Sequence, residues 1–367
     1  MDAPDSPPEI FTVLSTKNEE GSPIFSVLVK RTYSIRSGEK AVRCELTEPF
    51  IQEDQYYDHG DPEWATVKYE SELASYKLAT DVVVIGKALA PSEESVEQLE
   101  VSVAIADYKK TLLVTGDRYC IYRWLRRPLF TDPVPFKDME IRYERAYGGK
   151  DEKSDPKLPF IYPRNPMGTG VALKNKRAVI DKLVLPNIED PNDLLTIDRL
   201  IMGKPERWNE QPLPAGLGWF HRTWYPRCSF VASMPSFIDV DTVFREEALG
   251  FVPKGQVVLS RQFKLPSFDL RFNNGASLGM VLPYLKGDER VQLKHLTPGG
   301  ECAFSLPGEP PQIMLDIGLG ENVLKPFLQT VCIRLKEMEV DLIWRGAHEY
   351  PGQDWLPEMK KMLTHVS

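Results

Sequence analysis

Side chains able to do chemistry are few and dispersed in this chain. His59 and Asp61 form an HxD pair, a spacing that would place two metal ligands on one face of a strand. The surrounding Asp58-His59-Gly60-Asp61-Pro62 is turn chemistry, however, and no metal is expected there. Asp288 and Glu289, in Gly287-Asp288-Glu289-Arg290, are the most suggestive carboxylates. Two carboxylates about 5–9 Å apart would suit glycoside hydrolysis. Adjacent residues on a strand point to opposite faces, so sequence adjacency does not supply that geometry. The other histidines, His221, His295, His348 and His365, form no HExxH. There is no GxxxxGK[ST] and no GxSxG, and Gly168-Thr169-Gly170 lacks the third glycine of a dinucleotide site. Cys44, Cys120, Cys228, Cys302 and Cys332 lie far apart with no CxxC, which fits reduced thiols. No cofactor and no catalytic set is expected.

Three stretches carry recognition chemistry instead. In Met139 to Tyr147, alternation puts Met139, Ile141 and Tyr143 on one strand face with Arg145 in register. An arginine on an apolar face is costly unless a carboxylate or a partner group pairs with it. In Leu265 to Asn274, Phe268, Leu270 and Phe272 mark a buried strand face, leaving Asp269, Arg271 and Asn273 aligned on the other. By pattern alone such a charged row is a solvated face more often than a recognition surface, and Arg145 is either structurally paired or turned to a partner; Arg145, Tyr147, Asp269, Arg271 and Asn273 are the candidates for partner binding. Arg118 to Arg127 is the one basic, aromatic stretch. It suits a nucleic-acid platform of cations and stacking rings, a strand leaving a turn with solvated charges, or an acidic protein partner.

The elements that must position these residues read as strands. Period-two alternation recurs along the chain. Phe25 to Ile35 is β-branched and aromatic, and Val82-Val83-Val84-Ile85 is short and apolar enough for a strand buried on both faces. Val101, Val103 and Ile105, a turn over Asp107 to Lys110, then Leu112 and Val114 predict a hairpin. A similar unit follows at Val331, Ile333, Leu335, a Lys336-Glu337 bend, then Val340, Leu342 and Trp344. The likeness raises the expectation of two related sheet units, about 20–150 and 220–350, flanking a loop-rich middle. Asp151 to Pro166 and Leu185 to Pro214 read as long ordered loops of the kind that carry binding surfaces. Residues 1–20 read as a tail. A helix is expected over 354–366, capped by Asp354, with Leu356, Met359, Leu363 and Val366 at helical spacing. The predicted fold is mainly β, of antiparallel sheets packed as a sandwich, with long loop insertions.

Composition narrows the function classes. The 367 residues are 42% hydrophobic and 27% charged, a globular mixture. The net charge of −8 disfavours nucleic acid and anionic membranes as general partners. Thirty-one prolines suit short strands joined by turns. Met1 to Glu9 is acidic, unlike a signal peptide, and no apolar run approaches the ~20 residues of a membrane span. A soluble cytoplasmic protein is expected.

Many short motifs in order carry a family resemblance: Ala79 to Ala88, the Gly116-Asp117-Arg118 turn, Tyr143-Glu144-Arg145-Ala146-Tyr147-Gly148-Gly149 and Asn165-Pro166-Met167-Gly168-Thr169-Gly170. Leu185 to Glu189, Leu213 to Gly218, Phe268 to Ala276 and Gly287-Asp288-Glu289 complete the series. Together, over roughly residues 20–310, they resemble domain of unknown function 2169, found beside bacterial type VI secretion genes. The resemblance implies a cytoplasmic adaptor or chaperone without catalytic activity. Such a protein holds a type VI effector and helps load it onto the VgrG spike, with or without a PAAR-type tip. The resemblance also marks Asp117, Arg118, Gly148, Gly149, Asn165, Pro166, Gly168, Asp288 and Glu289 as structural turns. The chain departs from the family pattern around Cys228 to Ala232 and Val257 to Gln262. A glycan hydrolase using carboxylates such as Asp269, Asp288 or Glu289 is the alternative.

Overall fold

In the computed structural model the described residues are 8–17, 23–57, 65–91, 94–230, 270–316, 321–349 and 363–367. They form a mainly β protein built on two large sheets. The first is seven-stranded. Its longest pairing joins Pro23–Ser34 to Glu339–Glu349, antiparallel over eleven residues. Ile10–Lys17 flanks the former, and Phe327–Arg334 flanks the latter. Next comes Thr80–Ile85, in which all six residues are buried, as expected for a run of three valines and an isoleucine with apolar neighbours on both faces. It pairs in parallel with Phe327–Arg334, the one parallel contact in this sheet. A pair so distant in sequence needs no tight turn, so the long intervening chain can supply the crossover.

The second sheet has five strands. Gln98–Ile105 and Tyr108–Thr115 make the expected hairpin, although its turn is only Ala106-Asp107, with Ala106 at φ 51°, and the strand resumes at Tyr108. Arg290–Lys294 and Glu301–Ser305 extend one side, and Ile188–Glu189 the other. One continuous apolar core joins the sheets, from Val27, Val82 and Leu342 to Val101, Val291 and Phe304. Strands from 20–150 and from 220–350 thus share both sheets, and the two hairpins, one in each sheet, have different neighbours. The five cysteines are free thiols.

Several expected elements differ. Residues 1–20, expected as a tail, include the strand Ile10–Lys17, paired along its length with Pro23–Ser34. The end of the expected terminal helix, Leu363–Val366, is a strand against Ile313–Asp316; residues 350–362 lie outside the described residues. A register shift there leaves Thr364 unpaired, so Leu363 and Val366, three apart, both pack on the core. The last step of the spacing that mimics a helix, Leu363 to Val366, is produced by the bulge. The loop-rich middle is held by short ladders, among them Tyr147–Gly148 with Thr169–Gly170 and Tyr119–Ile121 with Leu183–Val184.

Candidate functional site

The motifs of the middle segment converge on one structure. The strand beginning at Asp138 ends at Glu140, and Tyr143–Arg145 is a 3-10 turn closed by the Ala146 amide on the Tyr143 carbonyl at 3.0 Å. Arg145 is therefore not aligned on an apolar strand face. The turn sends Glu144 to the amide and hydroxyl of Thr66, at 3.0 and 2.5 Å, and leaves Arg145 partly exposed.

Arg145 closes a knot of three segments. Its Nη1 donates to Asn187 Oδ1 at 3.2 Å and faces Asp117 Oδ1 at 3.6 Å. The Asn187 side-chain amide donates to Thr115 O and Asp117 Oδ1, both at 3.0 Å, and its backbone amide to Arg145 O at 2.8 Å. Arg118 pairs with Glu189 and donates to Pro186 O at 3.2 Å. Burial raises the Glu189 carboxyl above its ordinary range against the pull of Arg118. Gly116 has no room for a Cβ, which would meet the carbonyl of Val134. Asp117 and Arg118 thereby fix where the next strand, Tyr119–Ile121, leaves the core.

Tyr147 is not available to a partner. It is buried, donates to Gln211 Oε1 at 3.2 Å and meets Tyr162 edge-on at 5.2 Å. Burial lifts its phenol far above the usual range. Asn165, fully buried, donates to the carbonyls of Tyr143 and Tyr147 at 2.8 and 3.1 Å. Gly148, Gly149 and Gly168 cross at backbone contact, where any side chain would collide with a carbonyl; Gly149 is also left-handed, at φ 94°. These crossings line an open groove of about 480 Å³ together with Pro166, Leu183, Val184 and the lysines Lys150, Lys153 and Lys182.

The second row separates. Leu270–Asn273 is a 3-10 turn, so its side chains do not alternate; Asp269 lies outside the described residues. Arg271 lies over the Phe230 ring at 4.4 Å, and Asn273 donates to Tyr76 O at 2.6 Å. Asn274 bonds the backbone of Leu78 and Ala79 and the Asp81 carboxylate. Side-chain bonds to backbone compete here with a strand ladder and win. Glu289 accepts the Lys286 amide at 2.5 Å and the Gly287 amide at 2.9 Å, so both its oxygens brace its own turn. His59 and Asp61 lie outside the described residues, among which no group of three or more His, Cys, Asp or Glu is placed to hold a metal.

Sequence reasoning missed a buried ionic layer beneath these turns. Asp81, fully buried, pairs with Lys77 at 2.6 Å and accepts the amides of Gly275 and Ala276 at 3.1 and 3.3 Å. Lys77 also lies over the Trp219 ring at 5.0 Å. Glu70 takes two bonds from Arg227, at 2.7 and 2.5 Å, and one from Arg222 at 3.1 Å. The available signal was an aspartate heading the apolar run Val82–Ile85 within a buried strand, since a carboxylate there must find a cation.

Burial raises the Glu70 carboxyl, but the charge and hydrogen bonds of Arg227 outweigh it and hold the group below 4.5. A lowered folded value gives stability that is complete above the unfolded value and is lost as pH falls through the folded one. Glu70→Gln should therefore flatten the acid limb of the stability curve below about pH 4.5. Thermal melts between pH 7 and 3 test this, and a limb as steep as wild type would contradict it.

Against this geometry stands one match. The chain fits, over residues 20–345, the family model of domain of unknown function 2169, described as an uncharacterized protein conserved in bacteria, and it belongs to that family. No curated protein and no solved structure matches it. Among the described residues no helix is long and apolar enough to cross a membrane.

Proposed function

We propose that this protein is a cytoplasmic adaptor or chaperone that binds a type VI secretion effector and helps load it onto the VgrG spike, by protein–protein contact without covalent chemistry. The observation that carries the reading is the use made of the family motifs. Arg145, Asn187, Asp117, Asn165 and the glycines 148, 149 and 168 all brace backbone around an open groove and a surface sheet. A rigid scaffold that presents loops is what partner recognition requires.

A tagged pull-down from the native cytoplasm, with mass spectrometry, tests it. Recovery of a spike protein with a toxin-like partner is expected. Recovery of neither, from folded protein in a strain expressing the secretion system, would overturn the reading and turn attention to glycan hydrolysis.

Arg145→Ala separates bracing from contact. Arg145 is partly solvated, so its loss should cost only about 1 kcal/mol of stability. Displacement of the Asp117–Arg118 turn should nevertheless weaken partner capture several-fold. A large fall in the melting midpoint with capture intact in the remaining folded protein would make Arg145 purely structural.

A further inference from the structure

Arg118 to Arg127 folds into an apolar surface with a basic margin. Tyr119–Ile121 is the middle of a three-stranded antiparallel sheet, flanked by Leu129–Phe130 and Leu183–Val184. The register pairs Ile121 with Leu129 and Tyr119 with Val184. Directly opposed residues share a face, as do alternate residues on one strand. Tyr119, Ile121, Leu129 and Val184 therefore stand together on one side, and all four are exposed. The other side is Cys120, fully buried, with Phe130 and Leu183 packed on the core. Both sides of this small sheet are apolar, yet only one is covered.

The connection between the first two strands adds Trp124 and Leu125, 79% and 86% exposed. Leu125 sits at φ 56°, a left-handed conformation that a leucine adopts only at a cost. A contiguous exposed apolar patch of this kind marks an interaction site. Its margin has a definite sign. Residues 118–131 and 174–184 hold eight lysines and arginines against one acid, Asp181, in a chain whose net charge is −8. Arg118 is paired with Glu189 and Arg127 with Asp198, while Arg126 and Lys182 point into solvent at the edges of the patch.

We infer that this face docks an acidic amphipathic helix of the partner protein, apolar stripe against Tyr119, Ile121, Leu129 and Val184, carboxylates against the basic margin. Three strands about 4.8 Å apart give a face roughly 10 Å wide, which matches the diameter of one helix. Leu183 and Val184 also line the glycine-walled groove, so chain leaving the helix has a place to continue. The inference rests on the adaptor reading and supplies the chemistry of its partner.

Fluorescence anisotropy of the full chain tests it with a labelled 18-residue helical peptide carrying a leucine stripe and glutamates elsewhere. A peptide with lysines for the glutamates, and one with serines for the leucines, are the controls. The acidic peptide should bind at least tenfold more tightly than either control and lose several-fold in molar salt. Ile121→Asp should weaken it at least tenfold with an unchanged melting midpoint, and Arg126→Glu with Lys182→Glu should weaken it without touching the apolar face.

Equal binding of a control peptide, or indifference to Ile121→Asp, would overturn the inference. So would tighter binding of a single-stranded 20-mer DNA, or a concentration-dependent dimer in sedimentation that Ile121→Asp abolishes. In the native pull-down, retention of spike and effector by Ile121→Asp at the wild-type level would remove the docking face and leave the adaptor standing. Peptide binding by a wild-type chain that captures neither protein would do the reverse.

Discussion

Replacing Asp81 with alanine is expected to cost about 3–5 kcal/mol, the loss seen when one partner of a buried ion pair is removed. The carboxylate is fully buried and receives Lys77, the amides of Gly275 and Ala276, and the Asn274 side chain. Its removal leaves an ammonium only 4% exposed, with Thr330 Oγ1 at 3.1 Å, the Trp219 ring at 5.0 Å and the more distant charge of Glu70 in place of its ion-pair partner. Against a whole-domain stability of ~5–15 kcal/mol this is a large fraction. Urea unfolding should show a lower midpoint with the slope unchanged. Adding Lys77→Met should recover part of the loss, because the uncompensated charge goes with it. A variant with a wild-type midpoint would mean that Asp81 is not the anchor of residues 274–276.

The second large effect belongs to the glycine crossing. Gly149→Ala combines a left-handed backbone, φ 94°, with a methyl group driven into the Gly168 carbonyl. Strain of this kind costs about 1–3 kcal/mol, with the collision added. Gly38→Ala is the control. Gly38 has a similar φ of 85° but nothing within 4 Å of its added methyl. The Gly149 variant should be clearly the less stable of the two in thermal melts and should lose partner capture, since the crossing walls the groove. Equal melting midpoints would show that the backbone around 146–149 yields freely.

The strands were legible because their signal is local. Thr80–Ile85 and both long hairpins follow from runs of β-branched residues and from alternation. The motif turns were legible as residues but not in their shape. Asp117, Arg118, Arg145, Asn165 and the glycines do come together, yet Arg145 and Asn273 lie on 3-10 turns rather than strands. Those turns are imposed from a distance: Glu144 is drawn to Thr66, Asn273 to Tyr76, and Asn274 to Asp81. No window of sequence contains both partners of such bonds. Tyr147 illustrates the same limit from the other side, because its hydroxyl partner, Gln211, is 64 residues away. The terminal strand was misleading for a local reason, a bulge that reproduces the last step of helical spacing.

Hydrogen–deuterium exchange on the full chain, alone and with the protein it captures from the native cytoplasm, bears most directly on the claim that the loop-built surface holds a partner. Protection is predicted in 119–130 and 165–184, with the strands Arg290–Lys294 and Glu301–Ser305 unchanged. Protection confined to those strands, or none in the middle segment, would contradict it.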